Sequence, residues 1–126
     1  MDYFILYAAL GVLLVTLLAM NVSMTRIRLK IGNGDGNNAT LKKAIRAHMN
    51  AFEHVLPFAV ILFALTQVSI GALWMGFFAI GFILIRALHG YAMLFSKFKL
   101  RQVSAGLTYL FELLGCFILL FKLVSV

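Results

Sequence analysis

A chain of 126 residues that is 63% hydrophobic and only 12% charged falls outside the soluble globular class, because a soluble domain of this size needs far more polar surface to cover its core. The length allows one domain, residues 1–126, and the single cysteine, Cys116, excludes an internal disulfide. The net charge of +7 lies beside apolar segments, which points away from nucleic acid and toward anionic lipid head groups or an anionic cytoplasmic ligand.

Spanning a bilayer takes about 20 apolar residues at 1.5 Å rise each. Segment 3–23 is the first that qualifies. Asp2 is the only charge before it, and a basic leader and a small-residue cleavage pattern are both missing, so it reads as a retained helix rather than a signal peptide. The first loop carries Arg26, Arg28, Lys30, Lys42 and Lys43 against Asp35. Its stretch Gly32-Asn33-Gly34-Asp35-Gly36-Asn37-Asn38 is turn chemistry, since glycine and asparagine tolerate positive φ. It lacks the alternating carboxylates and terminal glutamate of a calcium loop, and no metal site is expected. Asn38-Ala39-Thr40 matches a glycosylation sequon but falls on the expected cytoplasmic side. Asn38 or Thr40 is positioned to cap the second helix.

The second span, 45–68, carries the strongest chemical pattern. At about 100° per residue, Arg46, Asn50, Glu53 and Pro57 fall within about 60° of arc, so a cation, an amide and a carboxylate share one narrow stripe. His54 lies at its edge and His48 faces elsewhere. Polar groups at membrane depth are costly unless paired or solvated. Packing alone offers a competing account: Arg46 snorkelling to water, Asn50 and Glu53 as glue between helices, and each histidine in an ordinary interhelical hydrogen bond.

The second loop, 67–72, has no charge. In the third span, 70–94, Arg86 and His89 are neighbours at i, i+3, with Met93 on the same side and Gly90 and Tyr91 beside it. Arg86 is expected to pair with Glu53, because a buried charge needs an opposite one. Tyr91 is equally suited to an interfacial belt. The third loop carries Lys97, Lys99 and Arg101 with no acid. In the fourth span, 103–124, Thr108, Glu112 and Cys116 recur at i+4, with Glu112 either protonated or paired across an interface. The expected fold is all-α, a four-transmembrane-helix bundle in up-down-up-down order. The basic loops one and three are expected in the cytoplasm, with both termini on the opposite side.

The carrying residues Asn21, Thr25-Arg26-Ile27-Arg28, Gly34-Asp35-Gly36, Arg46-Ala47-His48-Met49-Asn50, Glu53 and Pro57, continued by Arg86, His89-Gly90-Tyr91 and Arg101, resemble the family of membrane-associated proteins in eicosanoid and glutathione metabolism (MAPEG). The match is closest to its small bacterial inner-membrane branch. The resemblance implies a homotrimer of four-helix bundles that binds glutathione between neighbouring subunits near the cytoplasmic side. Arg46, Asn50 and Glu53 then resemble the glutathione-binding residues of helix two, and His48 a residue reaching ligand at the adjacent subunit. Arg26 or Arg28 resembles the basic residues ending helix one, His89 and Tyr91 resemble the helix-three contacts, with Arg86 beside them, and Arg101 resembles the arginine that stabilises the thiolate.

The residues fit that chemistry on their own terms. Arginines bind carboxylates in bidentate fashion, Glu53 is a receptor for an ammonium, and a cation raises the thiolate fraction of a thiol. The expected activity is glutathione transfer to a lipophilic small molecule arriving from the membrane lipids, or peroxide reduction. A lipid-binding or scaffold protein without catalysis is the alternative, with a small transporter behind it.

Overall fold

The computed structural model describes residues 2–125. They form four helices, α1 (Tyr3–Leu29), α2 (Ala39–Gln67), α3 (Ala72–Leu94) and α4 (Phe98–Val124). Each is long and apolar enough to cross a membrane. The helices overrun the apolar segments at the basic end: α1 continues past residue 23, α2 starts before residue 45 and α4 before residue 103. Arg26, Arg28, Lys42, Lys43, Lys99 and Arg101 therefore stand on helical turns rather than in loops. Arginine and lysine are good helix formers, and Arg26 and Arg28 sit in the last turn of α1, where cations offset the helix dipole.

Local chemistry sets the ends. Asp2 caps α1 by accepting from the Phe4 and Ile5 amides at 3.1 and 3.2 Å. Lys30 closes α1 in the left-handed region (φ 57°). Of the two candidate caps for α2, Asn38 takes the role, its side chain accepting from the Leu41 amide at 3.1 Å, whereas Thr40 lies inside the helix. Between them, Gly34 and Gly36 supply positive φ, and Arg26 pins the loop by donating to the Gly34 carbonyl at 2.6 Å.

α2 and α3 form the centre. α1 packs on both and α4 packs on both, while α1 and α4 do not meet. The main core lies between Tyr7, Val55, Phe58, Leu62, Phe78, Phe82 and Phe111, with Phe58 stacked on Phe82 at 3.7 Å between ring centroids and 3° between planes. Small residues allow close approach, as membrane helices require: a Cβ on Gly11 would run into Val55, and one on Gly115 into Ile61. Pro57 stands inside α2 without an N–H to give. Two residues earlier the buried Tyr7 hydroxyl donates to the Val55 carbonyl at 2.8 Å, tying α1 to α2.

The alternation of directions brings loops one and three to one end, where Asp35, Lys42 and Lys43 share a groove with Ser96, Phe98 and Arg101. The N-terminal turn meets the second loop at the other end, where Asp2 and Tyr3 share a recess with Ser69 and Gly71. Nine of the eleven lysines and arginines, all but Arg86 and Lys122, belong to the first end or the helical turns entering it. The outward faces are apolar, with Ile5, Val12, Leu17, Leu56, Val60, Leu84, Leu113 and Leu120 all exposed, as lipid solvation demands.

Candidate functional site

The polar residues inside the bundle form a ladder of three layers between α2, α3 and α4. It exists because α4 places Ser104, Thr108 and Glu112 at i+4 steps, which stack on one face about 6 Å apart, and because α2 offers Asn50 and His54 at the same step. Nearest the basic end, Ser104 Oγ donates to the Leu100 carbonyl at 2.7 Å and lies 3.0 Å from His89 Nδ1. A hydroxyl has one proton to give, so Ser104 accepts from His89, which places the imidazole hydrogen on Nδ1 and leaves Nε2 free.

The middle layer is centred on Arg86, 1% exposed. Its Nη1 donates to Thr108 Oγ1 at 3.0 Å, and its Nη2 donates to Asn50 Oδ1 at 2.6 Å and to the Asn50 carbonyl at 3.2 Å. Thr108 in turn donates to the Ser104 carbonyl at 2.8 Å, linking the first two layers. Every acceptor of Arg86 is neutral, and its buried Nε has no hydrogen-bond partner among the described residues. In the deepest layer, His54 Nδ1 meets Glu112 Oε1 at 2.8 Å, and the His54 ring sits edge-on to Tyr109. Beyond it the stacked Phe58 and Phe82 close the interior, with Phe111 against both.

The ladder faces a cleft of about 280 Å³ lined by Arg46, Asn50, His54, Arg86, His89, Arg101, Tyr109 and their neighbours. Through Arg46, Met93 and Arg101 it adjoins the wider groove of about 540 Å³ at the basic end, which adds Lys42 and Lys43. The Arg101 guanidinium also lies over the Phe98 ring at 5.6 Å.

Of the residues singled out from sequence, the fold brings Arg46, Asn50, Arg86, His89 and Arg101 to this cleft. It leaves five elsewhere on the chain. Arg26 holds loop one, Arg28 and Glu53 are exposed, and His48 is half-buried on another side of α2. Tyr91 packs on Phe95 at 4.7 Å between centroids and borders a separate recess with Lys97 and Lys99. The expected Arg86–Glu53 pair does not form: Arg86 is bonded to Asn50 and Thr108 instead. The reason is the rotation of α2. Its core face is Ala47, Ala51, Val55 and Phe58, and Glu53, midway between Ala51 and Val55, points almost directly away from it. Glu112, left open between protonation and pairing, finds His54. Ser104 and Tyr109 were missed; the i+4 series on α4 contained the signal for Ser104, one turn before Thr108.

A bundle of four membrane-crossing helices with a cation-rich polar cleft at its basic end defines an integral membrane protein. The chain belongs to the MAPEG family, whose family model matches residues 4–121. It is 30% identical over 106 residues to the inner membrane protein YecN from two strains of Escherichia coli, covering 82% of this chain and 79% of that protein.

Proposed function

We propose that this protein is a glutathione-dependent transferase or peroxidase of the bacterial inner membrane, acting on lipophilic electrophiles in a cleft completed by a neighbouring subunit. Arg86 carries the reading. A buried guanidinium whose direct hydrogen-bond partners are all neutral is expensive, and an anionic oxygen in the cleft that Arg86 lines offsets that cost. Arg46 lines the same cleft, so with Arg86 the two carboxylates of glutathione each have an arginine to meet. Arg101 is assigned to the sulfur, where its charge favours thiolate over a thiol whose ordinary pKa is about 8.5.

Glu53 supports assembly. It stands about 12 Å into the apolar segment by helical rise and is exposed on the protomer. A carboxylate facing lipid is costly, and a homotrimer that covers it against a neighbour removes the cost and gives the ligand's ammonium a partner. Calorimetric titration with glutathione, followed by turnover of a generic electrophile, tests the function. Arg46→Ala and Glu53→Gln are each expected to weaken glutathione by about 1–3 kcal/mol, the range for charged hydrogen bonds, while the trimer survives in mild detergent. A monodisperse monomer that still binds glutathione refutes the intersubunit site.

A second reading, a lipid-binding protein without catalysis, is favoured by the apolar groove of about 270 Å³ between α1 and α2, lined by Tyr7, Gly11, Val12, Phe52 and Leu56 among others. It becomes the better one if glutathione does not bind. In either case the basic end is assigned to the cytoplasm. Reporter fusions in loop one at Gly34 and at the C-terminus should give opposite signals; the same signal from both contradicts this topology.

A further inference from the structure

The deepest rung of the ladder has a geometry that ligand binding by arginines does not use. His54 and Glu112 are 58 positions apart in sequence yet meet at 2.8 Å, with side chains 17% and 21% exposed, so the pair is shielded but reachable from the cleft that His54 lines. An ionised carboxylate only accepts. It therefore holds the hydrogen on His54 Nδ1 and leaves Nε2 with its lone pair, and among the described residues nothing hydrogen-bonds to Nε2. A carboxylate that orients an imidazole, whose second nitrogen is free in a cleft, is the arrangement of a general base.

We infer that His54, positioned by Glu112, is the base that takes the proton from the ligand's thiol, an inference that rests on the glutathione reading above. Arg101 and His54 both line the cleft, Arg101 toward its basic end and His54 in the deepest layer with Arg86 between them, so a sulfur that reaches His54 has a nitrogen to receive its proton and arginines on the basic side to stabilise its charge. With an aryl chloride as electrophile the step balances. The S–H bond breaks and its proton goes to His54 Nε2. The sulfur electron pair forms the C–S bond, the C–Cl bond breaks, and chloride leaves with its electron pair. The proton then passes from His54 to water through the open cleft. The charged and titratable groups around this step are Arg86 and His89 from α3, Glu112, Tyr109 and Arg101 from α4, and Arg46 from α2.

The competing account is a lock between α2 and α4, and it predicts losses of a different kind. A lock holds the helices together, so its removal lowers assembly or stability. A base acts only on turnover. The test uses the full-length trimer with glutathione and a chlorodinitrobenzene. His54→Gln is expected to keep the glutathione Kd within about threefold while turnover at saturating substrates falls about 100-fold, the low end for a lost general base. Glu112→Gln should show the same split, with a loss of about tenfold. Added imidazole should restore turnover in His54→Ala and do nothing for Arg101→Ala. If the His54 variants do not assemble, Glu112→Gln carries the test alone. Turnover of His54→Gln or Glu112→Gln within about twofold of wild type, with binding intact, overturns the inference and leaves the glutathione reading standing. Wild-type protein that fails to bind glutathione overturns both.

Discussion

Phe58→Ala is expected to destabilise the bundle by about 3 kcal/mol, the lower end of the range for truncating a buried phenylalanine. Phe58 has no exposed surface and meets rings from all three other helices. It stacks on Phe82 at 3.7 Å and makes tilted contacts with Tyr7, Phe78 and Phe111. In a soluble protein much of the loss comes from transferring the ring out of water. Here the unfolded helices remain in lipid, which is as apolar as the core, so that contribution shrinks. What remains is the cavity: the four surrounding aromatic rings cannot all collapse into the space of one, and each loses dispersion contacts on one side. The expected readout is a lower unfolding midpoint in mild detergent, with glutathione affinity within about twofold of wild type, since the cleft residues lie on the other side of the His54–Glu112 layer. An unchanged midpoint would show that aromatic packing does not hold these helices together.

Arg86→Met should do the reverse. Arg86 is as buried as Phe58, but its burial is a cost as well as a gain. Taking a guanidinium out of water carries a penalty of several kcal/mol, and it is offset only in part, by hydrogen bonds to neutral groups on Asn50 and Thr108 and by the Glu112 carboxylate acting from the next layer without a direct contact. Methionine keeps most of the volume and removes the charge. It also orphans Asn50 Oδ1, at a cost of about 1–3 kcal/mol, though Asn50 is only half-buried and lines the open cleft, where water is available. The two changes offset, so stability should stay within about 1 kcal/mol of wild type or rise. Glutathione binding should fall at least about 30-fold, since losing one partner of a desolvated charge pair costs about 2 kcal/mol or more. Unfolding and calorimetry on the same sample separate the outcomes. Arg86→Met that unfolds easily yet binds glutathione normally would make Arg86 a structural strut and remove the main support for an anionic ligand.

These opposite expectations concern two side chains that are equally buried, and they bear on dynamics as well as stability. The aromatic plug makes the deep half of the bundle rigid, with α1 tied down by the Tyr7 hydroxyl. The basic half is held by polar contacts around an open cleft, so it is the half able to adjust to a ligand. The proposed site, which would admit a polar thiol from the aqueous side and an apolar electrophile from the bilayer, gains from this division.

Much of the architecture was legible in the chain. Apolar run lengths gave four spans, and the cap of α2 was narrowed to Asn38 or Thr40, of which the structure selects Asn38. The charge distribution gave the shared end of loops one and three. Each is a local property: the hydrogen-bond demand of the backbone in lipid, the orphan amides of one helix end, the preference of cations for water. Periodicity also placed Arg46, Asn50 and Glu53 on one stripe of α2. What it could not provide was the rotation of that stripe against α3 and α4. In a soluble bundle the apolar face of a helix marks the inside. In this chain the lipid-facing and protein-facing sides are equally apolar, so the pattern carries no such mark. Tertiary packing decided it. Small residues such as Ala47, Ala51, Gly11 and Gly115 allowed particular helix faces to approach. That turned Asn50 toward Arg86 and Glu53 to the outside, and it brought His54 to Glu112 across 58 positions of sequence.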